Sequence, residues 1–180
     1  RAAELQQEIG DLFFKANTFA DLANVLARDG DCDEAKVFFE KSLKLKREIG
    51  APQVETLCKM ALFMLERNRY CAKTSPESEK EKIDTIVYPS SPAACIEMAK
   101  ALVTPDQGLD QMLVNYAEGR YLLETDPTSA LKIFEGLYST GESRGVSKFT
   151  FLAGVGEGIA FEKTGQLEKA RDAFKKSVDY

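Results

Sequence analysis

An all-α fold is predicted by three features of the sequence. Apolar residues recur at spacings of three and four, as in Phe19, Leu22, Ala23 and Leu26, and again in Leu57, Met60, Ala61 and Met64. That is the period of one face of a helix. Turn-forming residues interrupt the pattern at Asp29-Gly30-Asp31, Gly50-Ala51-Pro52, Thr104-Pro105-Asp106, Asp126-Pro127, Ser139-Thr140-Gly141 and Gly165. Sustained polar–apolar alternation, the mark of a half-buried strand, occurs nowhere.

Taken in order, the segments between breaks predict helices over 2–29 (open to a break at Gly10), 33–49, 53–69, 91–103, 108–124, 127–139, 143–164 and 167–179. The third and fourth are separated by "RYCAKTSPESEKEKIDTIVYPSS". Within it Ser75-Pro76-Glu77 has the form of a helix start, with a capping serine, proline at the first position and then acids. A short helix over 76–87 is expected there, in a solvated excursion or a partner-contacting loop. Ile83, Ile86, Val87 and Tyr88 are its candidates for packing back onto the helices. Lys36, Lys41, Lys44, Lys46 and Arg47 crowd the second helix among Glu34, Glu40 and Glu48, and read as a solvated face.

The helices fall into repeating pairs. In "FADLANVLARDGDCDEAKVFFEKSL", Ala23 is followed after twelve residues by Ala35, then by Phe39 and Ser42. In "VGEGIAFEKTGQLEKARDAFKKSV", Gly158 is followed after twelve by Ala170, then by Phe174 and Ser177. Small residues at this spacing sit where two antiparallel helices press together. Between these lie two less regular pairs. One joins Val114, Ala117, Glu118 and Tyr121 to Ala130, Phe134 and Leu137. There Glu118 stands where a small residue is expected, and Gly119 beside it leaves the register open by one. The other joins Leu57, Met60, Ala61 and Met64 to Ala94, Met98 and Ala101, ended by Pro105, with an insert at 69–90.

This pattern resembles the tetratricopeptide repeat, W-x2-L-G-x2-Y followed by A-x3-F. Approximate units are 16–50, 53–105, 111–143 and 147–180, within one domain spanning 1–180. Links longer than the basic repeat resemble the extended repeats of bacterial signalling proteins. The resemblance implies a right-handed superhelical array of antiparallel helix pairs, a TPR-like α-solenoid. It implies a protein–protein or peptide interaction module within a larger protein. The alternative it leaves is an interdomain scaffold or regulatory arm of a multidomain signalling protein, with no free ligand. It further implies that the first helix of each pair lines a concave face. Asn17, Ala20, Asn24 and Ala27 would supply it in the first unit, and Glu55, Cys58, Leu62 and Leu65 in the second. Met112, Asn115, Gly119 and Leu122 follow in the third, and Leu152, Val155, Ile159 and Glu162 in the fourth. The variety that clamps a C-terminal carboxylate with lysine, arginine and asparagine is not matched: Asn24 fits, but Ala20, Lys59 and Met112 do not complete the set.

Other classes are disfavoured by composition and spacing. The chain has 180 residues, a formal net charge of −5 and no histidine. There is no concentrated basic surface for nucleic acid, no His-based triad, and no cofactor or metal expected. "FTFLAGVGEG" at 149–158 carries Gly154, Gly156 and Gly158, but its G-x-G-x-G spacing departs from the dinucleotide fingerprint G-x-G-x-x-G. A helical enzyme built on Glu157, Glu162 and Lys163 is the remaining catalytic alternative, and no paired environment supports it. Cys32, Cys58, Cys71 and Cys95 form no Cys-x-x-Cys pair and read as scattered reduced thiols. No apolar run nears the roughly 20 residues of a membrane helix. A cytoplasmic location with no membrane partner is expected. The chain opens on Arg1 rather than methionine, which suggests a fragment or a processed chain. Phe174, Val178 and Tyr180, in the last helix, are expected to lie exposed and to support self-association.

Overall fold

The described residues form eight helices, α1 (Ala2–Asp29), α2 (Cys32–Glu48), α3 (Val54–Tyr70), α4 (Pro92–Leu102), α5 (Gly108–Thr125), α6 (Pro127–Arg144), α7 (Ser147–Lys163) and α8 (Leu167–Val178). The computed structural model describes residues 2–70, 88–104 and 106–178. Among them there is no strand, and no helix is long and apolar enough to cross a membrane. The helix expected over 76–87, with Ile83, Ile86 and Val87, lies outside the described residues. Helix α1 runs unbroken through Gly10.

Two compact units divide the chain, one ending at Leu102 and the other beginning at Val103. In the first, α1 packs on α2, α3 packs on α4, and both α1 and α2 touch α3. Its core holds Ala16, Ala20, Ala23, Ala35, Phe39, Leu43, Leu57, Met60 and Ala61. The Phe39 ring stacks 5.5 Å from Phe63. In the second unit α6 packs against both α5 and α7, α7 packs against α8, and α5 touches α7. Its core centres on Met112, Leu123, Phe134, Leu137, Tyr138 and Phe149.

The glycines of α7 explain its packing on both sides. A Cβ on Gly158 would lie 2.5 Å from the Phe174 ring, and one on Gly154 would lie 2.8 Å from Ser177 Cβ, both on α8. A Cβ on Gly156 would lie 2.5 Å from Phe134 of α6. Each glycine costs helix propensity of roughly 0.8–1.0 kcal/mol relative to alanine, and the close approach of the neighbouring helix offsets that cost. Gly158 thus meets the phenylalanine sixteen residues on, as the repeat pattern predicts. In the third pair the small residue is Gly119, whose Cβ would lie 2.7 Å from Phe134, while Glu118 is half-buried. That settles the open register in favour of Gly119.

Three expectations are corrected. The break at Ser139-Thr140-Gly141 does not end α6. Gly141 stays inside the helix and serves close packing, since a Cβ there would lie 2.5 Å from Thr150 Oγ1 on α7. The helix ends instead at Gly145, whose φ of 67° favours glycine. In α4 the buried residues are Cys95, Ile96 and Ala99, whereas Ala94 and Met98 are half-buried and Ala101 is exposed. The pairing face is one residue later than predicted, because Pro92 and the Ser91 hydroxyl, which accepts from the Ala94 amide, fix where the helix starts. Lys46 is 1 % exposed, with its ammonium 5.7 Å from the Phe13 ring, and so leaves the solvated face. It lies one turn beyond Ser42 and Leu43 on the buried stripe of α2, where α1, which is longer than α2, overlies it.

The cysteines also depart from expectation. Cys32, buried at the first position of α2, is disulfide-bonded, which corrects the reading of all four as reduced thiols. Cys58 and Cys95 are reduced and buried. Burial pushes the Cys95 thiol up to about 12. Disulfide pairing depends on Cα separations set by tertiary packing, which spacing along the chain does not reveal. The thiols therefore no longer support a reducing compartment.

Candidate interaction faces

The predicted inner-face residues distribute by unit. In the first unit Asn24, Leu62 and Leu65 are half-buried, Glu55 is exposed, and Ala20, Ala27 and Cys58 are buried. In the second, Asn115 and Val155 are half-buried, and Asn115 Oδ1 accepts from Gln111 Nε2 at 2.8 Å. Met112 is 1 % exposed and belongs to the core of its own unit, while Leu122 and Ile159 are partly buried and pack against that core. Gly119 is buried and Glu162 exposed.

An ionic cluster between α1 and α3 was not foreseen. Lys59 Nζ lies 2.7 Å from both Asp21 Oδ1 and Glu55 Oε1. The Glu55–Lys59 half is an i,i+4 pair visible in sequence, but Asp21 is 38 residues away. Burial acts to lower the Lys59 pKa, yet the hydrogen bonds and charges of Asp21 and Glu55 outweigh it and hold the pKa above its ordinary value. A lysine engaged twice in this way is also poorly placed to receive a ligand carboxylate.

A raised lysine pKa gives a pH signature. Its stabilisation is full below the unfolded pKa of roughly 10.4 and is lost as pH climbs through the higher folded value. Lys59→Met is expected to lower stability by about 0.5–1 kcal/mol at neutral pH, because the cluster is partly solvated. The gap between variant and wild type in chemical denaturation should begin to close only above pH ~10.5 and vanish once the higher folded value is passed. A gap that persists beyond that point would assign the loss to packing of the lysine stem instead.

On the second unit Lys163 Nζ bridges α7 to α5 through Glu124 Oε2 at 3.1 Å. Glu157 on α7 is desolvated, which raises its pKa. Lys176 opposes that shift, while Glu135 and Glu142 reinforce it. Glu162 lies five residues from Glu157, roughly 140° around the helix, and is exposed. Glu157, Glu162 and Lys163 therefore do not converge, since Lys163 is committed to Glu124. The glycines of α7 sit inside a helix, where backbone amides bond to carbonyls four residues back and do not form a phosphate cradle.

Two surfaces outside the predicted face stand out. Tyr88, at the end of the insert, is half-buried with its ring 5.8 Å from the Arg47 guanidinium of α2, and Pro89 is buried. Burial leads the causes that raise the Tyr88 pKa. The returning end of the insert therefore packs on the helices, as expected of Tyr88. At the other end of the chain an open groove of about 490 Å³ runs along α7 and α8, lined by Leu167, Phe174, Val178, Arg171, Lys175 and Glu162 among others. Val178 is 75 % exposed and Phe174 half-buried, whereas Tyr180 lies outside the described residues. Among the described residues no cluster of histidine, cysteine, aspartate or glutamate has the makings of a metal site.

No family profile, no curated protein and no solved structure matches the chain.

Proposed function

We propose that the chain is a TPR-like interaction module that holds an extended peptide or a partner helix along the first helices of its pairs. The observation that carries this reading is an asymmetry of contacts. Within the first unit α1 touches α3 while the α2 and α4 backbones stay apart, and within the second α5 touches α7 while α6 and α8 keep their backbones apart and meet through the Lys176 ammonium, 3.4 Å from the Tyr138 ring. First helices crowded together with second helices splayed apart is the arrangement that gives stacked pairs a concave side. The small-residue contacts of Gly119 and Gly158 support the same repeat, and the right-handed superhelix is part of the proposal. Each apolar side chain covered by a partner contributes about 1.5–3 kcal/mol. Leu62 and Leu65 are the apolar contacts that the first unit offers, and Val155 and Ile159 those that the second offers, each set working against the costs of association.

A second reading, a regulatory arm or interdomain scaffold with no free ligand, is favoured by Met112, Leu122 and Ile159, which already serve their own core. Single changes on half-buried positions separate the two. Leu62→Lys and Val155→Lys should each retain helicity by circular dichroism. On the peptide reading each abolishes capture of the wild-type partner from lysate, and hydrogen exchange shows partner-dependent protection around 55–65 and 152–162. Capture that survives both substitutions would refute the inner-face assignment, and a wild-type chain that captures nothing favours the scaffold.

A further inference from the structure

A carboxylate stands on the packed stripe of α7. Ala153, Glu157 and Ala160 follow one another at i, i+4 and i+7, on one side of the helix. The two alanines are buried in the core of the second unit. Glu157 between them is half-buried, with buried Gly156 and Gly158 on either side. Removal from water there favours the neutral acid over the carboxylate.

The groups that act on Glu157 come from both flanking helices. On α6, Glu135, Tyr138 and Glu142 form a row at i, i+3 and i+7, with the tyrosine buried and the two carboxylates exposed. Both carboxylates bear on Glu157 as like charges, and Lys176 of α8 is the opposing cation. The Lys176 ammonium also sits 3.4 Å from the centre of the Tyr138 ring. Helix α8 packs its backbone on α7, and Lys176 carries its reach across to α6. Elsewhere on α8, Arg171 pairs with Glu168 and Asp172, Lys169 lies over the Phe161 ring, and Lys175 faces the open groove. On α5, which also touches α7, Glu124 takes Lys163, Arg120 donates to Tyr116, and Glu118 stands beside Gly119 at the contact with Phe134 of α6. One lysine therefore faces three carboxylates across the seam of α6, α7 and α8.

We propose that this seam is a proton-operated lock, in which uptake of a proton by Glu157 draws α8 firmly onto α6 and α7 and its release loosens the helix. This goes beyond the peptide-holding reading and does not depend on it. With Glu157 ionised, Lys176 is shared among three acids while a desolvated charge stays on the stripe. With Glu157 neutral, that charge is gone and Lys176 serves the α6 row that it already covers. Burial raises the Glu157 pKa. The stabilisation is therefore complete below the unfolded value of roughly 4.3 and is lost as pH rises through the higher folded value. Because α8 forms one wall of the open groove, the same proton sets how firmly that wall is held.

Hydrogen exchange over 167–178, expressed as protection relative to the unfolded-chain rate at each pH, reads the docking of α8. In the wild type, protection should rise as pH falls from ~7 to ~5. Glu157→Gln, neutral at every pH, should hold the wild-type acid level throughout and lose that rise. Lys176→Met leaves the three acids unopposed and should steepen it. Wild-type protection that is flat or falls over this range would overturn the proposal, as would a rise that Glu157→Gln retains. A Lys176→Met chain with the wild-type pH dependence would equally overturn it, because the proton would then not act through α8. Should Glu157→Gln fail to fold, the carboxyl carbon shift of Glu157 in the wild type decides instead. Titration together with the exposed Glu162 would sink the lock, and titration at higher pH supports it.

Discussion

Gly156→Leu is expected to destabilise the second unit severely. The Phe134 ring is clamped between two backbones, that of α5 at Gly119 and that of α7 at Gly156. A Cβ at either would come within 2.7 Å of ring carbons, and the ring is fully buried. Phe134 has nowhere to retreat, so even alanine at 156 forces a helix to shift. Overpacking a filled core costs typically 1–3 kcal/mol, and the two-sided clamp places leucine at or beyond the upper end. Gly136→Ala is the matched control, because the glycine is exposed on α6 with nothing within 4 Å of its absent Cβ. Propensity alone governs there, and that change should stabilise by roughly 0.5–1 kcal/mol. Urea denaturation followed by circular dichroism reads both. Equal effects from the two substitutions would mean that the α7 glycines are tolerated rather than required.

That contrast marks what the sequence makes legible. Periodicity identifies most helices of the described residues because their apolar stripes are long and the interruptions are strong turn formers, whereas α7, with apolar and small residues spread all round it, is legible only through its match to the first repeat. The small residue of the first and fourth pairs was readable because Ala23 and Gly158 each precede an A-x3-F motif at the same distance. Glycine is where the reading fails, since its two uses look alike in one dimension. Gly141 lets α7 approach and Gly145 ends α6, yet each is one glycine near a predicted boundary. Side-chain fates set by a second element were equally hidden. Nothing near Lys46 in sequence announces that α1 covers it, and nothing near Lys59 points to Asp21. The face of α4 slipped by one because its helix follows a long insert, where counting from the preceding helix loses meaning. The groove on α8 was partly visible, as Phe174 and Val178, but the outward face of α1 needed the burial of its alanine row to show.

Phe39→Ala should be the costliest single truncation in the first unit. Phe39 is completely buried on α2, and its ring lies 5.5 Å from Phe63 at an interplanar angle of 36°, so it ties α2 to α3. Its removal leaves a cavity beside Phe63 that the surrounding structure fills only in part. Truncation of a buried phenylalanine costs about 3–5 kcal/mol, a large part of the 5–15 kcal/mol that holds a typical domain folded. Phe38, its immediate neighbour, provides the comparison. It is half-buried, lies 5.7 Å from Phe19 and carries the Lys41 ammonium 4.5 Å above its ring. Solvent already reaches that site, and Phe38→Ala should cost markedly less. The chain has no tryptophan, so denaturation midpoints are best read at the helical circular-dichroism band. A Phe38→Ala loss that equals or exceeds that of Phe39→Ala would show that α2 turns a different face to the core, and the A-x3-F register on which the helix pairing rests would be wrong.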